Sequence, residues 1–219
     1  MNDKQPTSGF VSDIGDESDF NSTRHNGGFT NISEAYVSKS GFTRMFSAVR
    51  YGKRYMLKCL KPDFAYTPIY RQALMKEFEI GLQLDHPNIC RTISMEPVGE
   101  LGDCIVMEYV DGETLEAAVK GGNMTEDKVR KIASQLLDAM EYMHAKQTVH
   151  RDIKPSNIML THRGGDVKLI DFGLSDSETF CVLKIPAGTI GYMAPEQLQP
   201  GAKSDPCADI YSFGKVLEY

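Results

Sequence analysis

The sequence predicts an α+β fold: a small, mainly antiparallel β-sheet carrying one helix, followed by a mainly helical portion. Three observations predict it. Over residues 35–60 and 89–110, short runs of aromatic and apolar residues are punctuated by turn residues, as in short strands. Between these blocks Ile69, Ala73, Leu74, Phe78 and Leu82 recur at helical spacing. Beyond Gly112 the period changes, and a long helical stripe runs through 126–145. With 219 residues, 41% of them hydrophobic and 25% charged, the chain can bury a sizeable core.

The elements follow in order. Residues 1–32 are dominated by Ser, Asp, Asn, Gly and Thr, with Asp13, Asp16, Glu17 and Asp19 clustered. Such a stretch has little apolar surface to offset the entropy of ordering, and reads as a disordered acidic and polar leader. Strands are expected at Ala35–Val37, Met45–Val49 and Arg54–Leu60, the last two joined in a hairpin at Gly52. Pro62 and Pro68 punctuate a loop, and the helix after it stops before His86-Pro87, because a residue preceding proline avoids the helical region. Two further strands are expected at Ile89–Ile93 and Cys104–Val110, ended by Asp111-Gly112.

Thr125 can cap the next helix, whose first turn carries Glu126 and Asp127, favourable to its dipole. Its buried stripe is expected to be Val129, Ile132, Ala133, Leu136, Leu137, Met140 and Met143. Strand-prone pieces at 158–160 and 167–170 follow a polar loop, and residues 207–219 read as a helix.

Charge and cysteine usage narrow the function. A net charge of -6, with no Lys- and Arg-rich block, argues against a nucleic-acid partner held by bulk electrostatics. Cys59, Cys90, Cys104, Cys181 and Cys207 form no C-x-x-C pair, which suits reduced thiols in a cytoplasmic protein better than a zinc site or a disulfide framework. No apolar run approaches the roughly 20 residues of a membrane helix, and the amino terminus lacks the plan of a signal peptide, so a soluble chain with no membrane partner is expected.

The chemistry concentrates at His150-Arg151-Asp152-Ile153-Lys154-Pro155-Ser156-Asn157, which places a carboxylate, an ammonium and an amide in one loop between regular elements. With Asp171-Phe172-Gly173 and Ala194-Pro195-Glu196 following in order and spacing, it resembles the catalytic loop and activation segment of eukaryotic-type (Hanks-type) serine/threonine protein kinases. The resemblance covers about residues 33–219. It implies a two-lobed fold, 33–110 forming the small lobe and hinge and 111–219 part of the large lobe, incomplete at its C-terminus.

It also implies roles. Moving a γ-phosphoryl group demands positioning and charge neutralisation, hence hard oxygen ligands for Mg2+. Asn157 and Asp171 are the metal ligands implied. Asp152 would accept the substrate hydroxyl proton, and Lys154 would stand beside the transferring phosphoryl group. Lys58, in Tyr55-Met56-Leu57-Lys58, would reach the α- and β-phosphates of ATP and be held by Glu77. Met107 would be the gatekeeper of the hinge run Ile105–Val110, with the Glu108 carbonyl and Val110 backbone facing adenine. His150 and Phe172 would pack beneath the site. Lys154 and Thr189 match the branch that phosphorylates Ser and Thr hydroxyls of protein substrates.

The chain departs from that pattern in places. The phosphate loop aligns as Ser38-Lys39-Ser40-Gly41-Phe42-Thr43, with Ser38, Ser40 and Thr43 at the glycine positions and Gly41 out of register. Met56 stands for a small residue over adenine, and Gly81 for an apolar one four after Glu77. Arg151 would hold an activation-segment phosphate, yet the usual acceptor position is Ile185, with Ser175, Ser177 and Thr179 upstream. Glu196 would miss its arginine partner and be left as a buried, unpaired carboxylate. Two readings follow: an ATP-dependent protein Ser/Thr phosphotransferase, or a pseudokinase or scaffold with little phosphotransfer.

Overall fold

The computed structural model describes residues 27–37, 41–122, 124–172, 189–198 and 205–219. Most of the expected leader, Ser38 and Ser40 of the phosphate loop, Gly173, and the candidate phosphate acceptors Ser175, Ser177, Thr179 and Ile185 lie outside these residues.

Five strands form the first sheet: β1 (Thr30–Val37), β2 (Thr43–Arg50), β3 (Lys53–Leu60), β4 (Thr92–Pro97) and β5 (Asp103–Glu108). They run in the order β1-β2-β3-β5-β4 with every neighbour antiparallel. Arg50 pairs with Lys53 across a two-residue loop in which Tyr51 has φ 52° and Gly52 φ 74°. Positive φ at both central residues is the type I′ geometry whose twist matches the strands, and Gly52 supplies one of them without strain.

Two strand boundaries differ from expectation. The sheet reaches back into the stretch read as leader: β1 starts at Thr30, and Phe29 is 1% exposed, edge-on to Tyr55 and capped by the Arg50 guanidinium at 4.2 Å. Phe29, just before β1, and Ile32 anchor a mostly exposed edge strand, so composition masks it. Ile89 and Cys90, expected to begin a strand of this sheet, instead join the large lobe. Ile89 bridges Leu169, and the Cys90 amide donates to the Leu169 carbonyl at 2.8 Å, leaving β4 to begin at Thr92.

A short helix α1 (Pro62–Ala65) precedes α2 (Pro68–Leu82), which turns Ala73, Leu74, Glu77 and Gly81 inward. Gly81 is a point of close approach: a β-carbon there would lie 2.3 Å from Thr92 Oγ1. Thr92, itself buried, thus fills the place left by the missing apolar side chain. Gly81→Ala is expected to cost about 1–3 kcal/mol by overpacking, read from urea unfolding. A loss under about 0.5 kcal/mol, the range of surface substitutions, would count against this contact.

The second sheet joins β6 (Gly112–Thr114), β7 (Ile158–Thr161) and β8 (Val167–Leu169), again antiparallel. Gly112, expected to end a strand run, begins β6, and a helix α3 (Leu115–Lys120) capped by Thr114 follows directly. In α4 (Glu126–Ala145), Thr125 Oγ1 accepts the Lys128 amide as the cap pattern predicts. Ile132, Leu136, Met140 and Met143 are buried as expected, with Ala139. Val129 and Leu137, at 42% and 43% exposure, fall at the margins of the stripe. The stripe packs on Ile153, Ile158, Leu169 and Phe172 and so supports the polar loop from below. The last helix, α5 (Pro206–Glu218), is capped by Asp205, whose Oδ1 accepts the Cys207 amide at 2.7 Å. Among the described residues, no helix is long and apolar enough to cross a membrane.

Candidate active site

β3 and α2 bring together the first two candidates. Lys58 and Glu77, both buried, form an ion pair of 2.5 Å, and Lys58 Nζ also donates to Asp171 Oδ1 at 2.6 Å. Burial opposes the charge on Lys58, but the Asp171 and Glu77 carboxylates outweigh it and hold the ammonium above the ordinary lysine range. Burial pushes the Glu77 carboxyl up, offset in part by Lys58. The lysine is therefore a fixed cation between one buried and one half-exposed carboxylate.

The loop after α4 assembles the remainder. Asp152 Oδ2 accepts from Lys154 Nζ at 2.6 Å and from Asn157 Nδ2 at 3.0 Å. Asp152 Oδ1 accepts from Thr189 Oγ1 at 2.7 Å, and Lys154 also reaches Thr189 Oγ1 at 2.6 Å. Asn157 Nδ2 donates as well to the Asp152 carbonyl at 2.9 Å. Both bonds use the amide nitrogen, leaving the side-chain oxygen of Asn157 as the atom for a cation. The Ile170 amide donates to the Asn157 carbonyl at 2.9 Å, which ties the residue before Asp171 to Asn157.

Backbone shape at this site is unusual and supported. Arg151 has φ 70° and Asp171 φ 67°, a left-handed conformation that costs a non-glycine residue about 1–3 kcal/mol. Arg151 is held there by Asp209 on α5, whose buried carboxylate accepts the His150 and Arg151 amides at 2.8 Å each and His144 Nε2 at 2.8 Å. His150 is fully buried. Its Nδ1 accepts the Asp152 amide at 3.3 Å, so its Nε2 carries the proton donated to the Ile170 carbonyl at 3.1 Å. Both ring nitrogens are engaged, and the ring meets Phe172 edge-on with centroids 5.2 Å apart. His150 thus braces the loop rather than serving as a base.

At the hinge, Met107 pairs with Met56 in the β3–β5 register and packs against the cluster of Leu60, Leu74 and Ile105. The Glu108 carboxylate accepts the Arg91 amide at 2.8 Å and Lys168 Nζ at 2.7 Å. It thereby fastens the hinge to β8. Glu108 and Val110 both line a cavity of about 590 Å³ bordered by Asn88, Gln135 and Lys168. None of Lys58, Asp152, Asn157 or Asp171 lines it, so it lies apart from the charged cluster. Of the phosphate loop, Gly41 leads directly into β2, and Phe42 packs against Tyr70 with ring centroids 5.1 Å apart.

Two findings correct or extend the sequence reading. Glu196 is exposed, so water solvates its carboxylate and the cost of a buried unpaired charge does not arise. Asp209 opens the run Asp209–Gly214, which resembles the start of the large lobe's central helix; its support of the loop together with His144 appears only when α5 is folded against α4.

The comparisons agree with this geometry. A family profile described as protein kinase domain matches residues 39–218. Mitogen-activated protein kinase kinase 9 of Arabidopsis thaliana is 41% identical over 174 residues, covering 74% of this chain and 53% of that protein. Mitogen-activated protein kinase kinase 7 of the same plant is 38% identical over 176 residues, covering 76% and 54%. Serine/threonine-protein kinase PrkC of Bacillus subtilis (strain 168) is 36% identical over 167 residues, covering 74% of this chain and 25% of the relative. The chain spans about half the length of the plant relatives and a quarter of the bacterial one. A two-lobed β-then-α architecture, an ion-paired strand lysine and a polar loop braced from below, found in a chain so matched, place it in the protein kinase domain family.

Proposed function

We propose that this chain is a serine/threonine protein kinase domain that transfers the γ-phosphoryl group of Mg-ATP to Ser and Thr hydroxyls of protein substrates. The observation that carries the reading is the Asp152 carboxylate, fixed by donors from Lys154, Asn157 and Thr189. Its Oδ1 accepts an alcohol, Thr189 Oγ1, at 2.7 Å, the kind of group a protein substrate presents. The small lobe and hinge comprise residues up to 110, and the part beyond Asp111 supplies the loop. A cytoplasmic setting accords with the free thiols of Cys59, Cys90, Cys104 and Cys207.

The donor set fits the nucleotide and its metal. Asp171 offers a carboxylate and Asn157 a side-chain oxygen, both hard ligands suited to Mg2+. Bound Mg-ATP supplies the phosphoryl group, with the metal neutralising part of its charge. Lys58, kept cationic by Glu77, binds and orients phosphate oxygens. Asp152 orients the substrate hydroxyl and takes its proton at a carboxylate oxygen. Lys154 holds a positive charge beside that oxygen, where negative charge redistributes during transfer. Thr189 positions both by bonding each of them.

The substrate class is read from phosphoamino-acid analysis of a protein mixture labelled with γ-labelled ATP. Label in phosphoserine and phosphothreonine is expected; label confined to phosphotyrosine would overturn the assignment.

A further inference from the structure

Arg44, Cys59 and Cys104 stand in one row across three adjacent strands. Arg44 on β2 is the register partner of Cys59 on β3, and Cys59 is the partner of Cys104 on β5. Directly opposed residues put their side chains on the same face of a sheet. Both thiols are free, have 0% exposure, and lie in the apolar cluster of Phe46, Leu57 and Val106 on the face opposite Lys58. Cys104 Sγ donates to the Gly102 carbonyl at 3.4 Å, which leaves the Cys59 thiol as its cross-strand neighbour.

The arginine supplies a second, independent observation. Its Nε is buried and has no hydrogen-bond partner among the described residues, while the guanidinium carbon sits 5.0 Å from the centroid of the Phe46 ring. A buried donor left without an acceptor is costly, and an anion formed beside it relieves that cost. Glu34 on β1, opposite Phe46, is the carboxylate that acts on Cys59 from outside the row; within the row only a thiol can become an anion. The Cys59 thiol is pulled down, chiefly by the adjoining Cys104 thiol and, against burial, by the Arg44 charge. The Cys104 thiol is pushed up by the adjoining Cys59 and by burial. A lowered thiol opposite a second thiol is the arrangement of an attacking and a resolving cysteine; as both are buried, peroxide reaches them through local opening of the sheet.

We propose that Cys59 and Cys104 are a redox modification site, oxidised by hydrogen peroxide to a reversible cross-strand disulfide. The Cys59 sulfur attacks one peroxide oxygen, the O–O bond breaks, and the departing hydroxide takes the Cys59 proton to leave as water. Cys59 is then a sulfenic acid. The Cys104 sulfur attacks it, the S–O bond breaks, and the departing hydroxide leaves with the Cys104 proton as a second water. Two thiols lose two electrons, and one peroxide gains them. Opposed residues of an antiparallel pair have Cα atoms about 4.5–5.5 Å apart, inside the range a disulfide accepts, so closure needs little backbone movement. The bond fastens β3 to β5, the strands that carry Lys58 and Met107. The site stands whether or not the chain transfers phosphate.

The test treats the full chain with hydrogen peroxide, alkylates remaining thiols in denaturant, and maps peptides without reduction. A linked Cys59–Cys104 peptide pair is expected, lost on adding dithiothreitol, with a melting temperature several degrees higher in the oxidised than in the re-reduced protein. Arg44→Gln, its fold checked by circular dichroism, is expected to slow the link several-fold. Recovery of Cys59 and Cys104 as alkylated free thiols, after the exposed Cys207 has been oxidised, would overturn the proposal. A rate unchanged in Arg44→Gln counts equally against it, because the Arg44 charge is the cation of the row that favours the Cys59 thiolate.

Discussion

Asp209→Ala is expected to lower stability by about 3–5 kcal/mol and to remove most phosphoryl transfer even at temperatures where the variant stays folded. The carboxylate is fully buried and accepts three hydrogen bonds, from the His150 and Arg151 amides and from His144 Nε2. Alanine leaves the two buried amides without acceptors, at about 1–3 kcal/mol each, partly recovered by relaxation, and frees the partly buried His144. Relaxation is also what harms the site. The two amide bonds hold Arg151 at φ 70°, and without them that residue can return to a common conformation and carry Asp152 with it. Asp209→Asn keeps an accepting oxygen and should fall between. Urea unfolding beside turnover at low temperature checks both parts, and a variant as stable and active as the parent would refute the role.

Lys58→Met should reduce transfer by at least about 10²-fold, the usual cost of removing one fixed charge that stabilises a transition state. It also carries a pH signature. Burial pushes the Glu77 carboxyl up, and Lys58 is the group that opposes the push. With methionine in its place, the folded state holds the Glu77 proton to still higher pH than the unfolded chain does. A carboxyl raised in the folded state contributes fully below its unfolded pKa, and that contribution is lost as pH rises through the folded value. The stability deficit of Lys58→Met relative to the parent should therefore grow once the pH passes the parent's own folded Glu77 value, which already lies above the ordinary glutamate range. Denaturant melts across that rise in pH read it directly, and a deficit independent of pH contradicts the pairing.

Legibility in the sequence followed the distance over which each feature is determined. The Tyr51-Gly52 hairpin, the Thr125 cap and the α4 stripe are set by neighbours within a few positions, and their signals survive in a linear reading. The loop from His150 to Asn157 is contiguous, so its carboxylate, ammonium and amide could be picked out together. Lys58 and Glu77 are 19 positions apart, with α1 and the first part of α2 between them, and needed the family resemblance to be paired.

Features that depend on long-range packing were hidden. Asp209 resembles the first residue of the large lobe's central helix, but its bonding partners lie 58 and 59 positions earlier and its role on the loop is not legible from the run alone. Thr189 served only to mark the substrate branch, although it bonds both Asp152 and Lys154. Ile89 and Cys90 have the look of a strand in either sheet, and only the fold assigns them to Leu169. Phe29 and Ile32 stand at the end of a polar stretch, where composition outweighs so few anchors. Gly81 suggested a gap, yet the side chain that fills it, Thr92, comes from β4.

The central claim is that Asp152, with Lys58, Asn157 and Asp171, forms a working phosphotransfer centre and not a scaffold that merely keeps the fold. Transfer of label from γ-labelled Mg-ATP to a generic protein substrate, measured for the parent chain and for Asp152→Asn in parallel, tests it most directly. The parent should incorporate phosphate and Asp152→Asn should fall by roughly 10²–10⁴-fold with its thermal unfolding nearly unchanged. Equal incorporation by the two proteins, or none by a parent that binds Mg-ATP, would contradict it.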